Sequence, residues 1–107
     1  MTHVEFIETP VFTKEIVRLL PDESYRQLQF ALFLRPDAGN VIRGSGGLRK
    51  IRWEIPGRGK RGGLRVIYYW DAANRIYMLL PFRKSQQEDL TPAQLKQLRA
   101  VVKEWLK

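Results

Sequence analysis

Two β-patterned segments, Leu64 to Asp71 and Arg75 to Phe82, are separated by only Ala72-Ala73-Asn74. A connection that short makes a hairpin, so a pair of long antiparallel strands has to lie at the centre of the fold. A further strand pattern runs from Leu48 to about Ile55. It is joined to the pair by Pro56-Gly57-Arg58-Gly59-Lys60-Arg61-Gly62-Gly63, whose composition is that of a loop. Three consecutive strands then form a meander. The rest of the chain must cover its apolar side.

Three segments have the spacing to do so. Thr9-Pro10 reads as an N-cap followed by proline at the first helical position, and Phe12, Ile16, Leu19 and Leu20 recur on one helical face before Pro21. Asp22 can cap a second helix, with Tyr25, Leu28, Leu32 and Phe33 as its apolar stripe and Pro36-Asp37-Ala38-Gly39 as its stop. Thr91-Pro92-Ala93-Gln94 combines an N-cap, a first-turn proline and a capping box, and Leu95, Leu98, Val102, Trp105 and Leu106 follow on one face. A short alternating segment, Thr2 to Glu8, opens the chain as a strand. Gly44-Ser45-Gly46-Gly47 reads as a flexible lead into the meander. The expected fold is α+β in the order β-α-α-β-β-β-α. It has a small antiparallel sheet, with two N-terminal helices and one C-terminal helix packed on one face.

With 107 residues there is room for one core, so 1–107 is read as a single domain. It holds together without disulfides, because it has no cysteine, and thiolate metal sites are excluded on the same ground. The N-terminus lacks the basic start and apolar run of a signal peptide, and no apolar stretch is long enough for a membrane span. The expectation is a soluble, cytoplasmic protein with no membrane partner.

The formal charge is +8, and it is unevenly placed. Arg43, Arg49, Lys50, Arg52, Arg58, Lys60, Arg61 and Arg65 face a single acid, Glu54, across the same stretch, whereas the helices mix signs. Residues two apart on a strand share a face. Ile51 and Trp53 therefore turn to the helices while Lys50 and Arg52 turn away, and the meander brings Arg65 near them. Three cations on one open face suit a phosphate backbone. Charge runs are more often solvated surface, but the glycines of the 57–63 loop would let an anion approach its backbone. The loop is no P-loop, since the terminal Lys-Ser/Thr pattern is absent. His3, the one histidine, reads as an edge residue, and without a second histidine a two-histidine ribonuclease mechanism is closed. Glu88-Asp89 reads as charge favouring the start of the last helix. Of Tyr68-Tyr69-Trp70, Tyr68 and Trp70 are expected to pack and Tyr69 to stand open as a stacking surface.

These segments resemble the RelE/ParE superfamily of toxins from type II toxin–antitoxin systems, and within it the HigB-like branch. The resemblance lies in Gly46-Gly47-Leu48-Arg49-Lys50-Ile51-Arg52, in Gly59-Lys60-Arg61-Gly62-Gly63-Leu64-Arg65-Val66-Ile67-Tyr68-Tyr69, and in Leu80-Pro81-Phe82-Arg83-Lys84-Ser85 before Asp89-Leu90-Thr91. It implies a RelE-like fold and a ribosome-dependent endoribonuclease that cuts mRNA in the ribosomal A site. The nucleotide's own 2′-hydroxyl attacks, leaving a cyclic phosphate and a 5′-hydroxyl. Family catalytic positions fall on Lys50, Arg52 and Arg65, and a basic position before the last helix falls on Lys84, with Arg83 beside it. The chain departs from the pattern at Ser85, where a second arginine is expected. It departs again at Leu90-Thr91, near where a tyrosine base would stand.

The reading therefore assigns catalysis to Lys50, Arg52, Lys60, Arg65 and Lys84, with Lys60 or Arg61 making up the missing charge. RNA contact falls to Arg43, Arg49, Arg58, Arg61, Tyr69 and Arg83, and no metal or other cofactor is called for. Guanidinium groups at Arg52 and Arg65 would stabilise charge building on the phosphate. A lysine among cations, Lys50 or Lys60, could serve as a neutral base. The resemblance also implies a HigA-like antitoxin carrying a DNA-binding helix-turn-helix, with operator DNA reached through it, and charge complementarity would make it acidic where it covers the groove. The ribosome and mRNA are the targets. Two other classes fit the charge: a nucleic-acid-binding module without catalysis, and a related toxin acting on DNA gyrase through the last helix around Trp105.

Overall fold

The computed structural model describes residues 3–55, 57, 63–71 and 74–106. The chain runs β1 (Glu5–Glu8), α1 (Pro10–Leu19), α2 (Asp22–Leu34), β2 (Asn40–Val41), β3 (Arg49–Trp53), β4 (Leu64–Asp71), β5 (Arg75–Arg83) and α3 (Pro92–Trp105). The α+β class and the order of the expected elements are those of the sequence reading, with the two-residue β2 added. No described helix is long and apolar enough to cross a membrane.

The sheet has the order β1-β5-β4-β3-β2. The meander is antiparallel, but β1 lies parallel to β5, pairing Glu5 with Arg75 through Glu8 with Met78. The sheet is thus mixed, not purely antiparallel. No hairpin links β1 to β5, so no turn dictates their relative direction.

The helices lie on both faces, which corrects the expectation of one. Leu64, Val66, Tyr68, Ile76 and Met78 bury against Phe12 and Ile16 of α1 and Leu28 and Leu32 of α2. Ile67, Tyr77, Leu79 and Phe82 bury instead against Leu95, Leu98, Val102 and Trp105 of α3. The reason is visible in β4, Leu64-Arg65-Val66-Ile67-Tyr68-Tyr69-Trp70, which is apolar on nearly every position. A strand without alternation needs cover on two sides. Leu106 and Phe33, expected in the cores, are 45% and 39% exposed. Phe33 stacks on Phe30 at 6.4 Å on the outside of α2.

Local polar contacts fix the joints. A register shift falls between Ile67 and Tyr68 opposite Leu80 and Met78, leaving Leu79 as the extra residue of a bulge. The buried Thr9 hydroxyl donates to the Leu79 carbonyl (2.9 Å) and accepts from the Phe12 N–H (3.0 Å), so one side chain caps α1 and ties it to the bulge. Asp22 is the first residue of α2, and Pro21 occupies the cap position. The 43–47 turn is held in place from within. Buried Ser45 donates to the Ile42 carbonyl and accepts from the Leu48 N–H, and Gly44, Gly46 and Gly47 supply the positive φ angles.

Tyr68 anchors the other approach to β3. Its hydroxyl donates to Pro36 O and accepts from Gly39 N, both at 2.8 Å. A Cβ at Gly39 would stand 2.7 Å from Tyr68 Cε1, 2.8 Å from its hydroxyl and 3.0 Å from the Lys50 carbonyl carbon. Tyr68 is wholly buried and pinned at its tip, so it has nowhere to move. Gly39→Ala should cost about 1–3 kcal/mol, read as a lower thermal midpoint. An unchanged midpoint would mean that the Tyr68 ring is not held.

Candidate nucleic-acid interface

Parity along β3 and β4 decides where the cations lie. Ile51 and Trp53 pack with α1 and α2, and the Trp53 indole N–H donates to Ser24 Oγ at 3.2 Å. Lys50 and Arg52 therefore fall on the other face, the one carrying α3. Leu64 and Val66 likewise bury towards α1 and α2, which puts Arg65 on the α3 face beside Ile67. In the ladder Arg52 is the direct partner of Arg65, and Lys50 pairs with Ile67 two residues along.

Directly opposed residues on antiparallel strands have Cβ atoms about 5 Å apart, and like charges there destabilise the sheet. Arg52 facing Arg65 is such a pair. Arg65 is also only 9% exposed, and its one hydrogen bond among the described residues is a long one (3.4 Å) from its guanidinium to the Leu64 carbonyl. A buried guanidinium is costly unless it is paired and hydrogen-bonded. Stability alone gives no reason for this arrangement.

One carboxylate is set among these cations. Asp89 Oδ1 lies 3.1 Å from Lys50 Nζ and accepts from the Leu90 N–H at 2.9 Å. The Leu90 N–H, followed by Lys50 and the field of Arg65, holds the Asp89 carboxyl below its ordinary range. A local network fixes its height over β3. Gln87 Nε2 donates to the Asp89 carbonyl and to Gln94 Oε1, both at 2.8 Å, while Thr91 and Gln94 form the capping box of α3. Sequence reasoning passes over Asp89, reading it as helix-start charge. The missing signal is tertiary, because only the fold brings residue 89 above residue 50. Lys50 thus faces a carboxylate and is not surrounded by cations alone.

The remaining positions separate. Lys84 is exposed and its backbone N–H donates to Gly63 O at 3.0 Å, which brings it to the start of β4 near Arg65. Arg83 does not join them. It lines an open cleft with Arg18, Leu19, Leu20 and Ile55 on the α1–α2 side, and its Nε is buried without a partner among the described residues. Arg49 also lies on that side. Its guanidinium donates to Gly39 O (2.8 Å) and Asp37 O (3.3 Å) and stands 6.0 Å from the Trp70 ring centre. Its contacts are those of a clamp on the turn after α2. Arg43 is exposed at the 43–47 turn. Of the aromatics, Tyr68 is buried as expected, but its two neighbours exchange roles: Tyr69 packs against the α3 core 6.3 Å from Tyr77, and Trp70 is the open ring at 37% exposure. Arg58, Lys60 and Arg61 lie outside the described residues.

The comparisons with known proteins bear on this same part of the chain. A family model for the RelE toxin of the RelE/RelB toxin–antitoxin system matches residues 39–107, from the turn before β2 to the end, including the whole basic face. Among solved structures, a free-state mutant of the E. coli toxin RelE aligns with a TM-score of 0.56 and 19% identity, covering 81% of this chain and 90% of that one. At that identity the structural likeness speaks for the fold alone. The family model spans more than half of the chain, and on that ground the chain belongs to the RelE family of toxins of toxin–antitoxin systems.

Proposed function

We propose that this protein is an endoribonuclease toxin of the HigB-like branch, cutting mRNA in the ribosomal A site until a cognate antitoxin covers its basic face. The observation that carries the reading is the opposed pair Arg52 and Arg65 with Lys50 and Asp89 beside it. The pair costs stability in the free protein and would be relieved by a phosphodiester. Attack of the 2′-hydroxyl on the adjacent phosphorus forms the new P–O bond and expels the 5′-oxygen of the next nucleotide. The charge that builds on the phosphate faces Arg52 and Arg65. Asp89 is ionised at neutral pH and so is present in the form that accepts the 2′-proton. Lys50 holds it in place, and exposed Lys84 can protonate the leaving oxygen.

The basicity of Asp89 is low, so each proton transfer contributes modestly, about 10²–10⁴-fold. Holding the RNA in line has to supply much of the rest. Cleavage of naked RNA is accordingly expected to be slow. The antitoxin is expected to be HigA-like, acidic where it meets Lys50, Arg52 and Arg65, and bound to operator DNA through a helix-turn-helix.

The test is induction in bacteria followed by mapping of mRNA 5′ ends. Growth arrest with new ends inside translated codons, in frame with the ribosome, is the expected result. Arrest with intact messages would sink the proposal, and arrest with altered DNA supercoiling would direct attention to gyrase.

A further inference from the structure

Helix α3 has two unlike flanks. The flank turned towards β1 and α1 presents Gln94, Gln97, Leu98 and Val101, without a charge. The opposite flank, which meets the 43–47 turn through Arg99 and Lys103, presents Lys96, Arg99 and Lys103 on one open surface beside Leu95. The spacing of three and four residues places the three cations in a row about 10 Å long. All three are exposed, and they form no ion pair among the described residues. Arg99 reaches across to the glycine turn, its Nε 3.8 Å from where a Cβ of Gly46 would lie, and Arg43 is exposed on that turn. Helix α3 itself begins at Pro92, shortly after Asp89, which holds Lys50.

A helix needs no such row to fold, since neighbouring like charges on one face weaken it. The uncharged flank shows that the distribution follows the sheet: the cations are deployed on the side of Lys50 and Arg52.

We propose that Lys96, Arg99 and Lys103 form a second RNA-backbone track, which holds phosphates outside the reacting linkage and takes no part in cleavage. It rests on the proposed function only in taking the ligand to be RNA. Single-stranded message and ribosomal RNA share the phosphate chemistry, and the experiment separates them. Each phosphate neutralised on a single strand contributes about 0.7 to the slope of log K against log salt.

The full-length protein, freed from its antitoxin, is titrated with a fluorescent oligoribonucleotide made uncleavable by 2′-deoxy substitution, and separately with purified small ribosomal subunits, over a range of salt. For K96A/R99A/K103A the slope should fall by about 2 units. K96R/R99K/K103R should keep the wild-type slope, and so should Lys14→Ala on exposed α1. A fall with the oligoribonucleotide identifies single-stranded message, and a fall with the subunits alone identifies ribosomal RNA. Unchanged slopes in both arms overturn the proposal, as does a variant whose only defect is weaker antitoxin binding. If the triple variant does not fold, Arg99→Gln alone should lower the slope by about 0.7, and an unchanged slope there overturns it equally. These are binding measurements, so they stand whether or not cuts are found in cells. A failure of cleavage with the track intact strikes the proposed function alone.

Discussion

Arg65→Met should abolish toxicity while leaving the protein as stable as before or more so. Arg65 is 9% exposed, its backbone pairs directly with that of Arg52, and among the described residues its guanidinium makes one long contact, to a carbonyl. Methionine fills a similar volume with no charge to desolvate and no like charge to face. Buried ionic groups replaced by apolar ones of their size are often neutral or stabilising. A gain of about 1 kcal/mol is expected, seen as a higher thermal midpoint. Cleavage on the ribosome should fall about 10²–10³-fold, the usual loss on removing one donor aimed at developing charge. The two readouts must move in opposite directions. Lower stability with lower activity would make Arg65 a structural residue, and unchanged cleavage would remove it from the site.

The same residue shows what could be read from the sequence and what could not. Parity alone puts Lys50, Arg52 and Arg65 on one face, because a strand's alternation is strict and the meander leaves β4 one place to go. The capping box at Thr91 and Gln94 is equally local and equally legible. What escapes is whatever depends on distant segments meeting. The two-sided burial of β4 sets α3 opposite α1 and α2, and it turns Tyr69 inwards while leaving Trp70 open. The bulge at Leu79 precedes the switch that sends Phe82 to the α3 face and Arg83 to the cleft by α1. Asp89 gains its meaning from Lys50, which is far away along the chain. The apolar run in β4 was the available signal for the first of these. For the bulge and for Asp89 the chain carries no comparable mark.

Asp89→Asn should lower cleavage by about 10²-fold or more while keeping the fold. Asparagine retains an oxygen to accept from the Leu90 N–H and loses only the charge that faces Lys50 and accepts a proton. The pH profile separates the two candidate bases. Asp89 is held below its ordinary value of 3.8, first by the Leu90 N–H and then by Lys50 and Arg65. A group so lowered is already deprotonated above the carboxylate range. Its activity is full there and is lost only as the pH falls through the lowered value. The rate should therefore be flat from roughly pH 5.5 to 8. A lysine acting as a neutral base behaves oppositely: its active fraction grows about tenfold per pH unit over the same interval. Lys50→Ala makes the distinction sharper. It takes away one cause of the lowering but leaves the Leu90 N–H, so the carboxyl moves towards 3.8 without passing it and the plateau stays flat at a reduced height. A profile that climbs with pH in the wild type and turns flat in Lys50→Ala would transfer the role of base from Asp89 to Lys50.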